Sequence, residues 1–126
     1  MDGVEAIRGG RVVARETGRG IGPALKLYRA GAFERAEVCD RIVGRAAAAL
    51  FVVGGAERVH ADVMSVGAAA FLAAHGIPAS AEATVSEIIN RKGTGPCPME
   101  EAVRDLDDPV LMIAAIERTL AQLAAR

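Results

Sequence analysis

The chain has no tryptophan, one tyrosine and three phenylalanines among its 126 residues. Single-strand nucleic-acid platforms stack bases on aromatic rings, so that function class lacks its material here. An excess of one charge sign is also missing, since 15 Lys and Arg against 16 Asp and Glu leave a net charge of -1. That balance gives no broad footprint for extended nucleic acid or an acidic membrane, and leaves only a local basic pocket open. Long hydrophobic runs are absent too. The most apolar stretch, Ala46–Val53, is far shorter than the ~20 residues needed to span a bilayer. Two cysteines, Cys39 and Cys97, make no disulfide framework in a chain of this length. The acidic start Met1-Asp2-Gly3-Val4-Glu5 carries no signal-peptide pattern, so a reducing cytoplasm is the expected location.

Hydrophobic residues make up 52% of the chain and charged ones 25%, a balance that excludes disorder. The length suits a single domain over 1–126, which buries roughly two thirds of its unfolded surface without metals or disulfides.

Gly3–Arg8 and Arg11–Glu16 read as two strands joined by Gly9-Gly10, a hairpin signal because primed turns need positive φ. A glycine-rich loop, Thr17–Gly22, leads to Pro23 in the first turn of a helix that runs to about Ala30 and ends at Gly31. Ala36–Asp40 reads as a short strand, and Asp40 as the N-cap of a helix over Arg41–Val53 stopped by Gly54-Gly55. Arg58–Met64 alternates with period two and is a strand. Ser65 caps a helix that ends at Gly76, and Ala79–Ala83 forms another strand. Thr84-x-x-Glu87 spells a capping box for a brief helix near Val85–Asn90. After the loop 91–96, Cys97-Pro98 opens a helix through Leu106. Asp108-Pro109 opens the last helix, with Val110, Ile113, Ala114, Ile116 and Leu120 as its apolar stripe. The order β-β-α-β-α-β-α-β and then helices implies an α/β fold: a mostly parallel five-stranded sheet with one antiparallel strand, layered between helices. Ligands of such sheets bind outside the carboxyl ends of the strands.

Several motifs compete for that position. Gly18-x-Gly20-x-Gly22 followed by Asp40 resembles a dinucleotide loop with its ribose acid, but the third glycine comes one residue early and the helix is short. A flexible connection is the plainer reading, although an anion at the Gly22-Pro23 helix start is physically sensible. His60-x-Asp62 and Pro96-Cys97-Pro98-Met99-Glu100 look like damaged halves of a zinc-deaminase pair. Glu100 replaces the second cysteine and Asp62 the proton-transferring Glu, so no zinc ligand set is expected and no other cofactor is implied. Cys97 sits at a predicted helix start, where the dipole favours a thiolate; its plainer role is that of a small packed residue. Arg41 and Arg45, four apart on the predicted helix, share a face and could grip one anionic group.

Two segments, Asp40–Ala48 and Ile88–Glu100, resemble the signature stretches of a small prokaryotic domain-of-unknown-function family with a cytidine-deaminase-like fold. The resemblance covers nearly the whole chain and implies a three-layer α/β/α arrangement. In deaminases the metal-bearing motifs open the helix after the hairpin and the helix after the third strand. Gly22-Pro23-Ala24 and Asp40-Arg41-Ile42 stand there in this reading and offer no zinc set. The resulting expectation is a pocket of Gly20, Gly22, Asp40, Arg41, Arg45, Asn90, Arg91, Lys92 and Cys97 that takes a small anionic, phosphorylated or nucleotide-like molecule. Two alternatives stand beside it: a metal-independent enzyme with Cys97 as nucleophile and Asp40 as acid or base, and a scaffold module that self-associates into a homo-oligomer.

Overall fold

The computed structural model describes residues 2–125. Its elements run β1 (Gly3–Arg8), β2 (Arg11–Thr17), α1 (Gly22–Arg29), β3 (Glu37–Val43), α2 (Arg45–Gly54), β4 (Arg58–Ser65), α3 (Val66–Ala74), β5 (Ala79–Val85), α4 (Pro98–Val103) and α5 (Pro109–Ala124). The hairpin turn has φ of 58° at Gly9 and 75° at Gly10, the left-handed values that call for glycine. One sheet forms with order β2-β1-β3-β4-β5. β1 is antiparallel to both β2 and β3, while β3, β4 and β5 are mutually parallel. Four strands therefore point one way and β1 the other, as the element order implies.

The helices do not sandwich the sheet. Ala46 through Phe51 of α2 are all buried, the mark of a helix covered on every side. One side meets the sheet at β3, α1 and α3 flank it, and α5 lies across the remaining side with Met112, Ile113, Ala115 and Ile116 buried. Alanines at 46–49 keep α2 thin enough to sit between two partners. The opposite face of the sheet carries Arg15, Glu5, Cys39, His60 and Ser80 in register across all five strands. Arg15 pairs with Glu5 there, and His60 lies 2.7 Å from the Ser80 hydroxyl. The expected helix layers on both faces are thus replaced by two tiers of helices on one face, because the apolar sheet positions Val4, Ala6, Val38, Val59 and Ala61 are buried beneath α1–α3 while the other face is polar. On α5, Val110 is 62% exposed and Ala114 is exposed as well, while Met112 and Ala115 are buried, so the apolar stripe is turned from the one the spacing suggests.

Two boundaries move. β3 continues to Val43, with Ile42 and Val43 paired to Val63 and Met64 of β4. Asp40 is therefore an interior strand residue between Val4 and Ala61, not a helix cap. β-branched Ile42 and Val43 extend readily, and burial of Val43 outweighs a local capping preference. α2 begins at Arg45, with Gly44 in extended conformation at the N-cap. Arg41 and Arg45 consequently lie on different elements and share no helix face. The brief helix near Val85–Asn90 is also absent. β5 runs to Val85, which pairs with Ser65, and residues 88–97 close on themselves instead. Cys97 N donates to Ile88 O at 3.0 Å, and Asn90 N donates to Gly95 O at 2.8 Å.

Candidate functional site

The carboxyl ends of β2 and β3 open on one cavity of about 890 Å³. The β2–α1 loop walls one side, with Gly20 at φ 72° turning the chain. The floor is Asp40 and Arg41 of β3 with Gly44, Ala46 and Ala47 at the start of α2. The closed loop 88–97 supplies Ile88, Ile89, Asn90, Arg91, Lys92 and Cys97, and Leu120 and Leu123 of α5 complete an apolar wall. Residues from Gly3 to Leu123 converge here because β3 lies centrally, beside the starts of α1 and α2. A smaller depression of about 250 Å³ beside Gly3 and Glu16 gathers no comparable set of cations.

Of the residues expected at a pocket, Gly20, Gly22, Asp40, Arg41, Asn90, Arg91, Lys92 and Cys97 line this cavity together. Arg45 does not. Its guanidinium turns away to donate to Val103 O at 2.8 Å and Leu106 O at 2.5 Å, and it lies 5.5 Å from the Phe71 ring centroid. The Val103 carbonyl ends α4, where a cation is electrostatically favoured, and Leu106 lies just beyond it. Asn90 has a local task as well, its side-chain oxygen accepting from Thr94 N at 3.1 Å to hold the 88–97 loop.

Asp40 dominates the electrostatics. Its carboxylate accepts the Arg41 N–H at 2.7 Å. Burial pushes its pKa from 3.8 up to about 7, against the pull of the Arg41 N–H and the Arg41 charge, with a smaller upward push from Asp62. Near neutral pH this carboxyl can therefore stand protonated, as a donor, or ionised, as an acceptor, inside an otherwise partly apolar cavity.

Glu100, which in the sequence only stands where a second zinc cysteine would, has a role that no local pattern suggests. Its carboxylate accepts Arg45 N at 2.7 Å and Ala46 N at 2.9 Å, so α4 caps α2 across 55 residues of chain. Gly44 makes room for it: a side-chain carbon there would fall 2.4 Å from the carboxylate. No sequence signal relates Gly44 to Glu100, since each alone is an ordinary residue in an ordinary context. Arg19, Ile88 and Leu123 were likewise missed; Arg19 had a signal, being a cation inside the glycine-rich loop.

The sequence matches the model of a family described as "Domain of unknown function (DUF1893)" over residues 5–120. The chain belongs to the DUF1893 family. A crystal structure of another DUF1893 family protein, from Thermotoga maritima, is 25% identical with a TM-score of 0.86, covering 93% of this chain and 80% of that one. No curated protein matches the chain. The DUF1893 stretch contains every residue of the cavity wall except Gly3 and Leu123. In this DUF1893 chain His60 lies on the polar outer face of the sheet, whereas Cys97 lies in the cavity, so the two halves of the zinc-like spelling never meet. Cys39 shares the face of His60, where burial first and then Glu5, Glu37, Asp62 and Asp40 raise its thiol pKa. Among the described residues no helix is long and apolar enough to cross a membrane.

Proposed function

We propose that the cavity binds a small anionic, nucleotide-like molecule, and that the element order around it is that of the cytidine-deaminase-like class, without that class's helix layers on both faces or its metal chemistry. The observation that carries the reading is the half-buried, protonatable Asp40 in the floor of a cavity whose exposed rim bears Arg19, Arg91 and Lys92. Apolar walls from Ile88, Met99, Leu120 and Leu123 suit the faces of a ring, and a carboxyl able to donate or accept suits its heteroatoms. Exposed cations suit a phosphate or carboxylate.

The zinc of true deaminases does not fit these residues. The helix starts where that resemblance implies a metal are Gly22-Pro23 on α1 and Gly44-Arg45 on α2, and the first two amides of α2 are already taken by Glu100. Among the described residues no three His, Cys, Asp or Glu side chains are grouped to hold a metal ion.

A thermal-shift screen with nucleotides and sugar phosphates tests the reading. At a hundredfold excess over Kd a ligand adds about 2.7 kcal/mol, a shift of several degrees for a domain of this size. Asp40→Ala should abolish the shift of any hit. A screen without a hit, or hits indifferent to Asp40→Ala, would count against the pocket. A metal-independent reaction through Cys97 and Asp40 draws support from their presence in one cavity. Turnover of a hit that survives EDTA and stops in Cys97→Ser is its sign.

A further inference from the structure

The cavity has an uneven charge distribution from its depth to its mouth. At the deep end, α2 would normally present unpaired amides and the positive end of its dipole, an attractive seat for an anion. Here the carboxylate of Glu100 already holds Arg45 N and Ala46 N, in the space that Gly44 leaves by having no side chain. The Arg45 side chain, which could have offered a cation at the same place, is committed to the carbonyls at the end of α4. Asp40 adds a second carboxyl to the floor, where Arg41 is the nearest source of positive charge. Arg19, Arg91 and Lys92 by contrast are all exposed, and the guanidinium of Arg91 reaches to 3.8 Å from where a side chain on Gly20 would begin.

We propose that Glu100 fixes the orientation of the ligand: as a built-in anion on the α2 amides it excludes a second one from the deep end, so an uncharged hydrogen-bonding head enters toward Asp40 while the anionic group stays at the mouth with Arg19, Arg91 and Lys92. The inference rests on the anionic-ligand reading and deepens it, because it selects molecules whose charge and polar head lie at opposite ends. A compact dianion with no such head is excluded from the floor. Glu100 acts as a specificity residue through charge already in place.

Inorganic phosphate, followed by amide chemical-shift mapping on the full chain, is the direct probe. In the native protein phosphate should move the signals of the loop around Gly20 and of Arg91 and Lys92, and leave Arg45 and Ala46 still. In Glu100→Gln the Arg45 and Ala46 amides should respond, with phosphate affinity there rising about tenfold as one charge is removed from the cradle. Gly44→Ala, which displaces the carboxylate without deleting it, is the second variant and should expose the same amides. Phosphate shifts at Arg45 and Ala46 in the native protein would overturn the proposal. So would silent amides in whichever variant folds. Phosphate shifts nowhere in native protein or variants would instead overturn the anionic-ligand reading beneath it. Replacing Arg91 and Lys92 with Gln should weaken the native phosphate response about tenfold, and an unchanged response would place the anion elsewhere and sink the proposed orientation.

Discussion

A carboxyl that titrates near neutrality inside a folded chain lowers stability at the pH where it must ionise. Asp40 has a folded pKa of about 7 against 3.8 when free, so the folded state holds this proton more tightly than the unfolded state does. Its contribution is therefore most favourable at acid pH, erodes as pH rises from about 4 to about 7, and stays at its lowest above that. Asp62 and Arg41 are the charged groups that act on it. Asp40→Asn should consequently be more stable than the native chain by on the order of 2 kcal/mol at pH 8 and by little at pH 4. Urea unfolding of both proteins at the two pH values measures it. An advantage of equal size at both would mean that Asp40 ionises normally. In the sequence Asp40 is visible as a candidate through its place at a strand end, its spacing from the glycine loop and the family-like segment it opens. Its burial and raised pKa depend on Val4, Ala61 and the helices above, which no local pattern reveals.

At the scale of elements, α2 and α4 hold each other by exchange of caps. Glu100 of α4 closes the start of α2, and Arg45 of α2 closes the end of α4. Helix α4, Pro98–Val103, is too short to persist without such support. Arg45→Met keeps much of the apolar stem and removes the donors to Val103 and Leu106, which should cost about 2 kcal/mol. Hydrogen exchange should show the loss concentrated in α4 and the 88–97 loop, with the sheet protected as before. Uniform loss would show that the clamp is no local unit. The elements themselves were largely legible: Gly9-Gly10, Ser65, Asp108-Pro109 and the alternation of 58–64 act within a few residues and do what they imply. Thr84-x-x-Glu87 fails because pairing of Thr84 and Val85 with Met64 and Ser65 provides the backbone partners a cap would have offered.

For the whole molecule, α2 is the keel. Leu50, fully buried, lies in the run that meets both the sheet and α5. Leu50→Ala should destabilise the protein by about 2–5 kcal/mol, because a cavity between two layers cannot collapse from either side. Denaturant unfolding should show a lower midpoint at unchanged slope, and a loss below 1 kcal/mol would contradict such tight packing. Exposed strand residues away from the core, such as Arg11, should tolerate replacement within about 0.5 kcal/mol.

By itself the sequence determined the order and kind of nearly every element, the lone antiparallel strand, and the chain segments that border the cavity. Turn φ angles, helix caps and hydrophobic period are decided by neighbours within one or two turns of chain, and those neighbours are all written side by side. Only the tertiary structure decided that the helices stack on a single face, that β3 runs past Asp40, that Arg45 turns from the cavity, and that Glu100 sits on the amides of α2. Each of these is a competition between a weak local preference and burial or hydrogen bonding to a partner far along the chain, and in a packed interior the distant partner prevails.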